Sequence, residues 1–163
     1  MITFQTVMNN FLKNRSDKAA IEAAEKAKIL ALKEEEGEKR RSLLKILGDH
    51  ITMCMLNDQA FRDYMYSYVF VSPLKNSKTG EWSFCTIAWF ETFELRLEIS
   101  RMFQGIEAVI CNRIGSRYDL SSFPDEKWVQ IQHYLSEFVD LSHYVVDPEK
   151  LFLCLLKQCP PEK

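Results

Sequence analysis

The segment Phe93-Glu94-Leu95-Arg96-Leu97-Glu98-Ile99-Ser100 places apolar and polar side chains in alternation. A period of two residues is typical of a strand that has one buried and one exposed face. The alternative is a helix over residues 91–104 that Gly105 would close. In such a helix the apolar residues would spread over most of the circumference. The sequence therefore favours a strand here, and hence a fold that contains a sheet.

The sheet extends to both sides of this segment. Residues 64–71 are rich in tyrosine and valine, which favours a strand, and residues 76–80 have the composition of a turn. Because no turn residue interrupts residues 82–100, one long, bent strand is predicted there. A turn at Gln104-Gly105 then leads to a strand over residues 106–114. The sequence thus predicts an antiparallel β-meander of about three strands.

Residues 1–60 predict helix, because alanine, lysine, glutamate and leucine dominate and proline is absent. Apolar residues at helical spacing predict a short first helix over residues 4–12, and Ser16 could cap the next one. For the remainder, one long helix is favoured over two helices hinged at Gly37. We predict that residues 1–60 form a projecting N-terminal extension and that residues 61–163 form the α+β core domain.

The C-terminal region returns to helical patterns. Trp128, Ile131 and Leu135 recur on one face, and Asp147-Pro148 is a typical helix start with Asp as the cap and Pro at the first helical position. The predicted fold class is therefore α+β: a long N-terminal helical segment, an antiparallel meander and two C-terminal helices.

The composition excludes several classes of protein. Of 163 residues, 47% are hydrophobic and 27% are charged, which excludes wholesale disorder. No apolar run approaches the roughly 20 residues that span a bilayer, so we expect no membrane protein. The isoelectric point near 6.0 argues against a dedicated nucleic-acid binder.

Few residues suggest chemistry. The sequence contains no nucleophile elbow, no phosphate-binding glycine loop and no metalloprotease motif. His50 and Cys54 have a spacing that suits two ligands of one metal, but a zinc site needs three or four, and no second pair follows. We therefore expect no catalytic residue, no metal and no cofactor. A small enzyme with a cleft containing His133 or His143 is the remaining enzymatic hypothesis.

Two groups of side chains are candidates for binding a partner. In the predicted strand over residues 64–71 the aromatic residues share one face, and the opposite face is also apolar. The C-terminal helices can bury one of these faces, so the long helix or a partner would have to bury the other. Arginines near the sheet form the second group, because arginine beside aromatic rings occurs at protein interfaces and on nucleic-acid-binding sheets. The candidate partner-binding residues are Tyr64, Tyr66, Tyr68, Phe70, Arg96, Arg113 and Arg117.

These observations favour a non-enzymatic protein-binding protein of the inhibitor, immunity or adaptor type, similar in character to small phage-encoded proteins. The alternative is a nucleic-acid binder that uses the same arginines together with Arg101. A homodimer is a further expectation, because the alanine-rich stripe from Ala20 to Ala31 would allow two helices to approach closely. Five scattered cysteines and a start without a secretory signal predict a reduced, cytoplasmic protein.

Overall fold

The computed structural model describes residues 1–76, 80–100 and 105–161. It confirms the α+β fold, with a long N-terminal helix, an antiparallel sheet and two C-terminal helices. In chain order the elements are α1 (Phe4–Asn57), α2 (Gln59–Tyr64), a π-helical turn (Met65–Val69), β1 (Ser72–Asn76), β2 (Gly80–Trp89), β3 (Phe93–Ser100), β4 (Ile106–Asn112), α3 (Asp125–Leu135), β5 (Val139–Asp140), β6 (Val145–Val146) and α4 (Pro148–Gln158). Among the described residues, none of the helices is both long enough and apolar enough to cross a bilayer.

The main sheet has four antiparallel strands in the order β1-β2-β3-β4, and β5 and β6 form a separate small hairpin. The single strand predicted over residues 82–100 is wrong, because the chain turns back between Trp89 and Phe93, and the backbone N–H of Phe90 donates to Phe93 O (2.9 Å). No glycine or proline marks this turn. Arg113 holds it from outside by donating to the backbone oxygens of Phe90 (2.7 Å) and Glu91 (2.6 Å).

The strand predicted over residues 64–71 is also wrong, because the backbone is helical as far as Val69. Asp58 caps this helix by accepting from the backbone N–H of Phe61 (3.1 Å). Phe61, Met65 and Val69 are spaced four apart and are all buried in the core. Burial at helical spacing overrides the β preference of tyrosine and valine, which is a weak preference in itself.

The turns at the ends of the strands lie partly outside the described residues. The predicted turn over 76–80 falls outside the described residues at 77–79. The predicted turn at Gln104-Gly105 falls outside them at Gln104. Asn76 and Gly80 pair across β1 and β2, and Gly105 has a φ of +124°, which suits glycine at the entry to β4.

Helix α1 runs unbroken for 54 residues, or about 80 Å at 1.5 Å per residue. The preference for one helix through Gly37 is confirmed. The predicted break between a short first helix over residues 4–12 and a next helix capped by Ser16 is wrong, since α1 continues through both and its cap is Thr3. From Leu43 to Met55 one face of α1 belongs to the same hydrophobic core as the sheet, α3 and α4. The predicted division of the chain at residue 60 stays a prediction.

Two glycines allow α1 to lie close to the rest of the chain. A Cβ atom on Gly48 would lie 2.4 Å from the backbone oxygen of Ile106, at the start of β4, and one on Gly37 would lie 2.8 Å from the Cα of Ser121. Thr52 joins the same elements, because its hydroxyl accepts from the N–H of Ile106 (2.8 Å) and donates to Gly48 O (2.8 Å). The core face of the sheet is thus held tightly against α1.

Candidate functional site

The predicted aromatic binding face does not exist as a single surface. Phe70 is buried, Tyr64 and Tyr68 are half-buried, and Tyr66 is exposed. Because the backbone there is helical and not a strand, the four do not share one face, although the rings of Tyr64 and Tyr68 lie 5.8 Å apart. The hydroxyl of Tyr64 donates to the backbone oxygens of Leu155 (3.0 Å) and Cys159 (2.7 Å), and burial raises its pKa to about 12. Tyr64 therefore holds the end of α4 in place.

The three candidate arginines surround the face of the sheet that points away from the core. Arg96 pairs with Glu94, which is 1% exposed, and stacks over the ring of Phe84 at 4.1 Å. Arg113 supports the β2–β3 turn, as described above. Arg101, which the nucleic-acid alternative also used, lies outside the described residues.

Arg117 neutralises two carboxylates that face each other across the sheet. Glu98 of β3 and Glu107 of β4 are in register, and like charges in this arrangement destabilise a sheet. The guanidinium of Arg117 lies 3.1 Å from a carboxylate oxygen of each. Burial lowers the pKa of Arg117, but the two carboxylates outweigh that effect and raise it above its ordinary value. All three guanidinium groups thus have partners within the chain.

The thiols and the histidines do not form a reactive centre. The sulfur atoms of Cys85 and Cys159 lie 3.4 Å apart between β2 and the end of α4. Burial and this contact raise the pKa of Cys85 to about 12, which disfavours the nucleophilic thiolate. Burial lowers the pKa of His50, and His143 is exposed beside Asp140 (2.9 Å). In the part of the chain that the structure describes, no three potential ligands are grouped to hold a metal.

The most unusual surface is the first part of α1. We call residues 4–35 the arm: every one of them is exposed, over about 48 Å of helix. Helices of globular proteins draw most of their stability from packing, whereas no residue of the arm is buried by the part of the chain that the structure describes. Nine of its side chains are large and apolar: Phe4, Val7, Met8, Phe11, Leu12, Ile21, Ile29, Leu30 and Leu32.

One line of residues runs along the arm at alternating spacings of four and three. We call it the arm row: Phe4, Met8, Phe11, Arg15, Lys18, Glu22, Glu25, Ile29, Leu32 and Glu36. This spacing is the heptad repeat by which helices pair in coiled coils. The row continues the side of α1 that is buried further along, from Arg40 to Met55. Sequence analysis missed the row because four charged residues occupy its middle, and the alanine stripe lies on another side.

A groove of about 400 Å³ lies at the base of the arm. Ile29 and Leu32 line one wall, and residues 121–125 line the other. Arg40, which is 3% exposed, fixes that second wall to α1. Its guanidinium donates to the backbone oxygens of Leu120 (3.1 Å) and Phe123 (2.6 Å) and to the carboxylate of Asp125 (2.6 Å). The apolar end of the arm row therefore opens into a pre-formed groove.

Comparison of the chain with protein-family models, with curated proteins and with solved structures finds no match. No family, relative or structural neighbour therefore supplies a function. The arm row and the groove at its base are the features from which a function can be inferred.

Proposed function

We propose that the chain is a non-enzymatic protein-binding protein that docks through the arm of α1. The observation that carries the proposal is the exposure of the whole arm, in which five of the nine large apolar side chains lie at heptad spacing. A helix of this kind binds by laying its row of side chains against another helix or into a groove. An inhibitor, an immunity protein and an adaptor would all act in this way, and the cytoplasm is the compartment we propose.

The size of the exposed apolar surface is adequate for binding. Fully burying one large apolar side chain contributes about 2 kcal/mol. Association costs about 4–15 kcal/mol before any affinity results. Several of the nine apolar side chains of the arm must therefore be covered together. The tip, from Phe4 to Leu12, and the base, from Ile29 to Leu32, are the two places where they are dense enough.

The two alternatives have less support. Nucleic-acid binding would need free guanidinium groups, whereas Arg96 and Arg117 are paired with carboxylates and Arg113 with backbone oxygens. An enzymatic cleft would need a histidine beside a second polar group in a pocket. His143 meets Asp140 on the exposed surface, which is an ordinary surface pair.

The proposal can be tested by capturing the complex from cells that produce the protein. A triple variant, Phe4→Gln, Met8→Gln and Phe11→Gln, makes the tip polar while keeping good helix formers. The matched control, Val129→Gln and Leu153→Gln, changes two exposed apolar residues of α3 and α4, outside the arm. Circular dichroism would verify that both variants keep their helix content.

We expect mass spectrometry to identify a stoichiometric protein partner bound to the wild-type chain and to the control. The triple variant should no longer bind this partner. This partner can be another protein or an untagged copy of the chain itself. A complex that survives the changes at the tip would contradict the proposal, as would the absence of any stoichiometric partner of the wild-type chain.

A further inference from the structure

The arm row is symmetric about the level of Ala20, except that the sign of the charge is inverted. At equal distances on either side there is a cation facing an anion, or an apolar side chain on both sides, except at the outermost pair, Phe4 and Glu36. The pairs, at 2, 5, 9 and 12 residues from Ala20, are Lys18 with Glu22, Arg15 with Glu25, Phe11 with Ile29, and Met8 with Leu32. Two copies of the arm row are therefore complementary to each other when the two helices run in opposite directions.

We infer that the partner of the arm is a second copy of this chain, bound antiparallel about a two-fold axis at Ala20. This inference rests on the proposed docking function of the arm. In an antiparallel pair each row residue faces the residue that lies equally far beyond the axis. Arg15 then meets Glu25 of the other copy, Phe11 meets Ile29, and every layer from Met8 to Leu32 joins opposite charges or two apolar side chains. A parallel pair would instead place Arg15 against Arg15.

The groove at the base supports the same arrangement. Leu32 belongs to the arm row and also lines the groove. In the antiparallel register Met8 of the second copy faces Leu32, and its Phe4 faces Glu36, which also lines the groove. The apolar tip of each copy thus reaches the apolar groove of the other, and the two-fold axis produces this contact twice.

The charged and the apolar layers contribute differently to the antiparallel pair. Ion pairs in a helix interface contribute little net affinity, because their desolvation offsets their attraction. They do select orientation and register, as polar residues do in coiled coils. The apolar layers at the two ends supply the affinity, and the central layers, from Arg15 to Glu25, exclude the parallel arrangement.

The test is sedimentation velocity of the purified full chain over a roughly hundredfold range of concentration. We expect a dimer whose fraction rises with concentration. Arg15→Glu with Lys18→Glu should weaken it about a hundredfold or more, because all four central layers then hold like charges. Adding Glu22→Lys and Glu25→Lys restores opposite charges in all four central layers, so the fourfold variant should return close to wild-type affinity.

The matched control is Lys13→Glu with Lys28→Glu, which changes the net charge equally but lies outside the arm row. It should leave the dimer close to wild type. Circular dichroism would verify that every variant keeps its helix content. A wild-type chain that stays monomeric would overturn the inference, and so would a dimer that is indifferent to the double reversal or is not restored by the fourfold one. If a monomeric chain still captured another protein through its tip, the proposed function would stand without the dimer.

Discussion

Replacing Gly48 by alanine should destabilise the protein, although alanine is the better helix former. The substitution gains about 1 kcal/mol of helix propensity. Against this, the new Cβ atom would lie 2.4 Å from the backbone oxygen of Ile106, so α1 and β4 must separate. Overpacking of this kind costs about 1–3 kcal/mol. The shift also strains the bond from the N–H of Ile106 to Thr52, a bond that contributes about 1 kcal/mol.

The balance is a net loss of about 1–3 kcal/mol in the free energy of unfolding. It would be measured by urea unfolding followed through tryptophan fluorescence and, independently, circular dichroism. Ser42→Ala is the matched control, because Ser42 is an exposed residue of the same helix. We expect the control to be as stable as wild type or slightly more stable. If Gly48→Ala were also as stable as wild type, the close contact between α1 and β4 would be refuted.

Three further predictions concern groups that hold the fold together. Arg40→Met removes three hydrogen bonds to residues 120–125. We expect the free energy of unfolding, measured by urea titration, to fall by about 2–4 kcal/mol. An unchanged midpoint of urea unfolding would contradict the role of Arg40 in holding these residues against α1. Arg117→Ala leaves two glutamates facing each other across β3 and β4, and should cost about 1 kcal/mol near neutral pH, since the arginine is partly exposed. That deficit should shrink at high salt, which screens the repulsion between the two carboxylates, and a deficit independent of salt would count against the explanation. At alkaline pH, where more thiolate is present, glutathione disulfide should convert the thiols of Cys85 and Cys159 into one disulfide and release two molecules of glutathione. Mass spectrometry of the digested protein would reveal the linked peptides. If both thiols remained open to alkylation after long incubation at that pH, the 3.4 Å contact would be in doubt.

Local signals predicted several elements correctly. The alternation over Phe93–Ser100 identified β3, because one face of that strand is buried and the other carries charges. Asp147 caps α4 as its position before a proline indicates, with its side chain accepting from the N–H of Lys150 (3.2 Å). The continuity of α1 through Gly37 followed from the absence of any other turn residue. Each of these features is decided by residues within one or two turns of the chain.

The errors arose where distant residues decide the structure. Tyrosine and valine favour a strand over 64–71, but burial of Met65 and Val69 against the core selects a helix. The only local signal for that helix is Asp58, three residues before Phe61. The turn between β2 and β3 has no local signal, because Arg113 holds it from beyond β4. The arm row was overlooked because four charged residues occupy its centre.

The most direct test of the arm as a docking surface is to mix two variants that should each fail alone. One carries Arg15→Glu and Lys18→Glu, and its arm row has four acidic residues at the centre. The other carries Glu22→Lys and Glu25→Lys, and has four basic ones. Native mass spectrometry should find each variant monomeric by itself and a one-to-one heterodimer in the mixture. If the mixture contained only monomers, or if each variant alone dimerised as well as wild type, the arm row would not be the contact surface.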